Sequence, residues 1–430
     1  MGALKYRAVK GTRDLLPPES ERFAAAEGIA REVFSSYGYG EVRTPVLEAT
    51  ELFARSVGET TDIVHKEMYT FPDRKGRSLT MRPENTAGVV RALIEKGLQD
   101  MPRPIRLWYC GEQFRYEQPQ KGRYREFRQI GAELLGIPGP EADAELLLML
   151  FDFLRRLGFA DLSVTLNCVP SRDGRQRFAE AVRAHVSPQA DRLGTDDRRR
   201  LEENPLRLFD SKDAQTRGIL EGAPTSPEFL DDSARAHYER LKQLLSIMKI
   251  PFTENPSLVR GLDYYTVTVF EVVSRGLGAQ DAVLGGGRYD NLIGDLGGPD
   301  MPAIGFAIGE DRLLDVAPAD PRPLREVFFV VPFSKEQLAY ALEVARRIRR
   351  HDPAAVVDTD LSGRGFKKGF ARAAQVLEDS SGPYPFRVSE VRVISLGPEE
   401  EARGTLKIKA LSTRVEESVN LSSFERGPGR

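Results

Sequence analysis

Cysteine is nearly absent from the chain, which has only Cys110 and Cys168 among 430 residues. That excludes a disulfide framework and a cysteine-based zinc site. Long apolar runs are missing as well. None approaches the roughly 18 residues needed to cross a bilayer, so no membrane span is expected. The opening stretch MGALKYRAVKGTRDLLPPE has no apolar core for a secretory signal, which makes the cytoplasm the expected compartment. Charge of one sign is also lacking: the formal net charge is -2. A nucleic-acid partner would therefore have to be met by a local basic surface and not by overall charge. What is present is ordinary for a water-soluble globular chain, 29% charged and 40% hydrophobic, with length enough for two or three domains.

Residues 19–37 place Phe23, Ala26, Ala30, Val33, Phe34 and Tyr37 at helical spacing. Gly38 then stops the helix before a short strand, GEVRTP, ending at Pro45. In LTMRPENTAGVVRALIEKG, residues 80–83 read as a strand end and 87–95 as a helix. At that junction Thr86 suits either a helix cap or a ligand contact, and Glu84 suits a ligand contact. From Pro104, two apolar-rich runs flank the polar segment 117–124, the pattern of an antiparallel pair with a long loop. Residues 103–128 carry seven Arg or Lys against three Glu. Arg115 stands at the end of the first strand, and Gln129 and Glu133, four apart, share one face of the return strand.

Residues 141–157 read as an amphipathic helix and LSVTLN as a strand, and about 170–250 as a charged, strandless helical insertion. The densest stretch is 255–290. Arg260, Asp263, Tyr264 and Tyr265 fall within six positions, and glycines 285–287 allow close backbone approach before Arg288 and Tyr289. Three consecutive glycines gain a strand nothing by themselves, so a ligand-facing pair of strands is expected. PAIGFAIGEDRLLDV reads as a strand of small residues followed by a helix with Glu310, Asp311 and Arg312 in its first turn. A proline-rich linker near 324 precedes alternating strands and helices, a small α/β domain with basic helices bearing Arg346, Arg347, Arg349, Arg350, Arg364, Lys367, Lys368 and Arg372. The tail SSFERGPGR is expected to be disordered.

These stretches together resemble the bacterial-type histidyl-tRNA synthetases, a class II aminoacyl-tRNA synthetase family, over nearly the whole chain. The unit ending at Pro45 is similar to class II motif 1, FRYEQPQKGRYREFRQIGAELLG to motif 2, and GFAIGEDRLL to motif 3. LVRGLDYYT and GGGRYDNL resemble the histidine-specific motifs, RPENT at 82–86 the amino-acid binding segment, and LRLFDSK and FKKGFARA further family stretches. The fold implied is α/β (α+β). A catalytic domain, 1–324, has a mostly antiparallel sheet flanked by helices and a helical insertion at about 170–250. A C-terminal α/β anticodon-binding domain, 325–430, follows.

The resemblance implies activation of L-histidine by ATP, with Mg2+, to histidyl-adenylate, then transfer to tRNA(His). It also implies a homodimer built through motif 1, no dedicated metal cage and no editing domain. By similarity Arg115 and Arg260 are the catalytic cations. Glu84, Thr86 and Gln129 would hold the ammonium end of histidine and Glu133, Tyr265 and Tyr289 its ring end, with Tyr264 also in the histidine site. Arg115, Arg123 and Arg312 would bind ATP, and Lys121, Arg123 and Arg125 the tRNA. Arginine suits this chemistry because its fork matches phosphate oxygens and keeps its charge. Two departures stand out: the family usually has a small residue at Asn85, which would alter the pocket floor, and segment 378–390 is longer than expected. The rival reading is the regulatory paralogue of ATP phosphoribosyltransferase, which generally lacks the Arg260 equivalent and the last domain. A non-catalytic nucleic-acid-binding module would leave Arg115, Arg260 and Arg312 unexplained.

Overall fold

A computed structural model describes residues 6–424, apart from 59, 60, 62, 119–122, 275–281 and 379–383. It divides into two compact units, one of Met1–Asp14 and Glu27–Asp320, the other of Leu15–Ala26 and Pro321–Arg430.

Helix α1 (Glu19–Ser36), of which the residues from Glu27 on belong to the first unit, ends at Gly38, whose φ of 81° is the left-handed conformation that terminates helices. Strand β1 (Gly40–Glu41) is shorter than the expected GEVRTP strand, and β2 (Leu47–Ala49), helix α2 (Thr50–Val57), β3 (Tyr69–Pro72) and β4 (Ser78–Met81) follow. Strands β2 to β4 form a small three-stranded sheet that the sequence reading had not separated. Helix α3 (Thr86–Glu95) leads to the long pair β5 (Ile105–Phe114) and β6 (Glu126–Leu135), antiparallel as expected. Helix α4 (Pro140–Arg156) and β7 (Leu162–Val169) come next. The insertion is wholly helical: α5 (Arg172–Val186), α6 (Thr195–Glu203), α7 (Ala214–Ile219) and α8 (Asp232–Ile247), with short turns between them. Its core holds Phe178, Val182, Leu201 and Leu208, and Phe178 stacks on Phe209 and Phe229. Strand β8 (Phe252–Glu254), β9 (Thr266–Ser274), β10 (Ala282–Arg288), helix α9 (Leu292–Asp295), β11 (Ala303–Gly309) and helix α10 (Glu310–Val316) complete the unit.

The large sheet has the order β1-β5-β6-β11-β10-β9-β7-β8; its outermost pairings are parallel and the rest antiparallel. Because side chains alternate between faces, register decides which residues meet. One cross-strand row runs Trp108, Ala132, Phe306, Gly286, Phe270. From this row Trp108 and Phe306 pack edge-on against Phe34 of α1, and Phe34 also meets Phe153 of α4, so this face holds the buried core. The neighbouring rows face the other way. They run Leu107, Glu133, Gly305, Gly287, Val269 and Tyr109, Gly131, Ala307, Gly285, Glu271. That face is lined with glycine and alanine around a few functional side chains.

In the second unit, β12 (Leu324–Pro332), α11 (Leu338–His351), β13 (Val356–Thr359), α12 (Phe366–Glu378) and β14 (Arg387–Leu396) alternate as expected. Helix α13 (Pro398–Arg403) and strands β15 (Thr405–Ala410) and β16 (Glu416–Asn420) extend its sheet to the order β13-β12-β14-β15-β16. Of these, β16, EESVN, is almost wholly exposed and has no apolar pattern, whereas β15, TLKIKA, carries a strand alternation. The start of the tail is ordered, contrary to expectation: Leu421–Phe424 makes a 3-10 turn, and Phe424 meets His351 edge-on. The rest of the tail and part of 378–390 lie outside the described residues.

Candidate active site

The glycine-lined face of the large sheet floors a cavity with about 560 Å³ of space open to solvent. Glu84, Thr86, Arg115, Gln129, Glu133, Arg260, Tyr264, Tyr265 and Tyr289 line it, together with Leu262, Gly285, Gly305, Phe306 and Ala307. The fold thus brings together residues more than two hundred positions apart, from α3, β6, β10, β11 and neighbouring loops.

Glu133 stands at the centre. Its Oε1 accepts the Thr86 hydroxyl at 2.8 Å and its Oε2 the Tyr289 hydroxyl at 2.6 Å. It lies flat over Gly305, where a Cβ would fall 1.6 Å from Oε2. Burial pushes its pKa up to about 8, against the pull of the two hydroxyls. Glu84 is buried too, and burial raises its pKa, while two backbone N–H donors and nearby Arg115 oppose the rise. Those donors are Thr86 at 2.8 Å and Ala87 at 2.9 Å, so Glu84 is the side chain that satisfies the start of α3. Of the two uses open to Thr86, capping is thus taken by Glu84, and Thr86 reaches Glu133; both side chains line the cavity. Asn85 is corrected. Its Oδ1 accepts the Thr44 hydroxyl at 2.6 Å, and Asn85 does not line the cavity.

Arg260 lies against Gly285, where any Cβ would come within 2.4 Å of its guanidinium. Glu271, the register partner of Gly285, holds its Nη1, and its Nε has no partner among the described residues. The close approach that the glycine run permits is thus used first by a side chain of the chain itself. Arg115 donates Nε to the Pro83 carbonyl at 2.8 Å, with its guanidinium 5.4 Å from the Phe127 ring centre. Tyr264 packs against Tyr265 at 4.9 Å and edge-on to Tyr289 at 5.7 Å, an aromatic wall beside Glu133. All three phenols are pushed above their ordinary range by burial, so they remain hydrogen-bond donors.

Other candidates lie elsewhere. Arg312 sits half-buried in the first turn of α10, outside the cavity lining. Arg123 is 3.5 Å from Glu117, while Arg125 stacks 3.8 Å over the Tyr116 ring and donates to the Glu117 carbonyl. Lys121 lies outside the described residues. Arg288, the first polar residue after the glycine run, is completely buried and turned into an ion pair with Asp143 at 2.7 Å. Asp143 also accepts from Thr268 and His237, and no sequence spacing points to that pairing. Tyr109 was missed: it is buried, and its phenol leans over Gly131 beside Thr86 and Glu133.

Among the described residues one trio has metal-ligand spacing, Glu27, Cys110 and Glu310, within 4.8 Å of one another. Its cation is already supplied. Arg128 donates to Glu27 at 2.6 Å, to Glu310 at 3.3 Å and to the Cys110 sulfur at 3.6 Å.

The cavity can present two fixed guanidinium groups, Arg115 and Arg260, together with two buried carboxyl groups and three phenols. A model of the family "Histidyl-tRNA synthetase" matches residues 11–313. The histidine–tRNA ligase of Synechococcus sp. (strain JA-3-3Ab) is 42% identical over 416 residues, 96% of each chain. That of Halorhodospira halophila is 46% identical over 409 residues, 94% of this chain and 93% of its own. The crystal structure of apo Staphylococcus aureus histidyl-tRNA synthetase superposes with a TM-score of 0.76 at 32% identity, covering 98% of this chain and 99% of that one. The geometry of the cavity and these likenesses lead to one conclusion: the chain belongs to the histidyl-tRNA synthetase family.

Proposed function

We propose that the chain is a histidine–tRNA ligase that first forms histidyl-adenylate and then charges tRNA(His). The observation that carries this reading is the buried Glu133 carboxylate, fixed by Thr86 and Tyr289, facing the same cavity as Arg115 and Arg260.

In the first step a histidine carboxylate oxygen attacks the α-phosphorus of ATP and the bond to the β-phosphate oxygen breaks, releasing pyrophosphate. Two anions approach and charge grows on the phosphate oxygens. Arg115 and Arg260 stabilise that charge as preorganised cations. Arg312 takes the γ-phosphate, with Arg123 beside the nucleotide. Glu84, Thr86 and Gln129 receive the α-ammonium, and Glu133 with Tyr264, Tyr265 and Tyr289 hydrogen-bonds and walls the imidazole. A site built to bond both ring nitrogens rejects analogues lacking them more strongly than an apolar pocket rejects a missing methylene. In the second step a ribose hydroxyl of the terminal adenosine attacks the acyl carbon and AMP leaves. Lys121, Arg123 and Arg125 would meet the acceptor end, and residues 325–430 the anticodon.

Mg2+ travels with ATP and offsets phosphate charge. The cavity's carboxylates already accept from Thr86, Ala87 and Tyr289, so the donor set there suits arginine-held phosphate better than a resident metal. A homodimer in the cytoplasm fits the reading. The exposed Val46, Leu47 and Phe71, in and beside the small sheet that follows the motif 1 stretch, form apolar surface that a second copy would cover.

The test is charging: the chain, ATP, Mg2+, bulk tRNA and labelled histidine. Label bound to tRNA only when all are present is the expected result. Histidine binding without charging would favour a regulatory role and overturn this reading.

A further inference from the structure

The stretch bearing Arg260, Tyr264 and Tyr265 is irregular, and two arginines of the helical insertion grip its backbone. Arg207 donates to the Gly261 carbonyl at 2.9 Å, and Arg175 of α5 donates to the Asp263 carbonyl at 2.9 Å. Both also approach the Asp263 carboxylate, Arg175 at 3.4 Å and Arg207 at 3.6 Å, and Asn204 joins them at 3.4 Å. On its far side Asp263 presses on Gly58, where a Cβ would come within 2.6 Å of the carboxylate, and its N–H reaches the Val57 carbonyl at 3.3 Å.

Apolar packing holds Leu258, Leu262, Tyr264 and Tyr265 of this stretch, which sit with Val169 and Val269, but it does not engage Gly261 and Asp263. Behind the stretch runs a second cavity, bounded by Val169, Phe178, Leu206, Leu258 and Val269, with Arg175, Arg207 and Arg260 in its wall. The stretch is held by polar contacts from both sides: Glu271 holds Arg260, the Val57 carbonyl accepts from Asp263 and Asn167 donates to the Leu258 carbonyl, while the carbonyls of Gly261 and Asp263 are met by the insertion. The insertion end of each contact is firm, because Phe178 of α5 stacks on Phe209, two residues beyond Arg207.

We propose that Arg175 and Arg207 are positioning residues for adenylate formation: by gripping Gly261 and Asp263 they set the Arg260 guanidinium over Gly285. The helical insertion is thereby part of the first step and not only an appendage for the second. This rests on the ligase reading above. Neither arginine touches substrate; both act through Arg260.

The test is histidine-dependent pyrophosphate exchange by the full-length chain carrying Arg175→Ala, Arg207→Ala or both, each also in an Arg260→Ala background. Displacing a reacting group by about 1 Å costs on the order of 100-fold in rate, so a large fall in kcat is expected for the double variant. In the Arg260→Ala background the same changes should cost less than about twofold, because the residue they position is gone. Equal losses in both backgrounds would show a merely structural role and overturn the proposal, as would unchanged kcat. Arg175→Lys, which keeps the charge but has no second nitrogen to reach both Asp263 oxygens, serves if the alanine variants fail to fold, and it should lower kcat in the same Arg260-dependent way. Wild-type chain without histidine-dependent exchange would overturn the ligase reading and this proposal with it. Wild-type exchange with unaffected variants overturns the proposal alone.

Discussion

The arginines of the second unit and those of the cavity look alike in sequence and differ in what surrounds them. On α11, Arg346 and Arg347 are both held by Glu343, and Arg372 of α12 is 3.7 Å from Asp358 and from Asp360. Three of the eight expected basic side chains are thus paired with carboxylates where they stand. In the cavity, Arg260 is held by one carboxylate and Arg115 by one carbonyl, with the remaining guanidinium surface against glycine or the cavity. Position is fixed in both regions. What differs is how much bonding capacity is left for a ligand, and the glycine floor creates that difference by letting cations and carboxylates lie flat on the sheet.

The comparison is broken most severely by removing the cavity cation. Arg260→Ala should fold and lose histidine-dependent exchange by on the order of 100-fold or more; near-normal exchange would remove its assigned role. Gly285→Ala sharpens the point without touching the arginine. Its Cβ would collide with the guanidinium, so exchange should fall by about 10-fold or more through kcat. Gly28→Ala in α1, where a Cβ meets nothing within 4 Å, should leave exchange unchanged. Removing residues 325–430 separates the two regions outright. Adenylation should survive in a folded product while tRNA charging weakens, and loss of both would contradict the division of labour.

A smaller effect concerns stability. Glu133 has its pKa raised from 4.5 to about 8, so the folded chain keeps a proton that the unfolded chain releases. Stability from this group is full below about pH 4.5 and is lost as pH rises towards 8. Glu133→Gln should lack that loss, so its thermal midpoint should fall less than wild type's between about pH 5 and pH 8. Parallel midpoint curves would mean that Glu133 is not buried as described.

The long pair β5 and β6, the helical insertion and the alternating second unit were legible in the sequence because apolar spacing and turn residues suffice to draw them. The nine cavity-lining candidates were legible through family motifs, which condense contacts that no local pattern contains. What escaped depends on partners far along the chain. Asn85 is turned from the cavity by Thr44, 41 residues earlier. Arg288, beside the same glycines that receive Arg260, is claimed by Asp143 at a separation of 145 residues. Glu84 takes the capping at the start of α3 while the Thr86 hydroxyl goes to Glu133, 47 residues on. Tyr109 gave no sign at all, since its place is set by the missing side chain of Gly131 on the facing strand.

The most direct measurement is pyrophosphate exchange by the wild-type chain with each proteinogenic amino acid in turn. Exchange with histidine and with no other amino acid is the predicted result. Exchange driven by a different amino acid, or none with histidine, would contradict the assignment of this cavity.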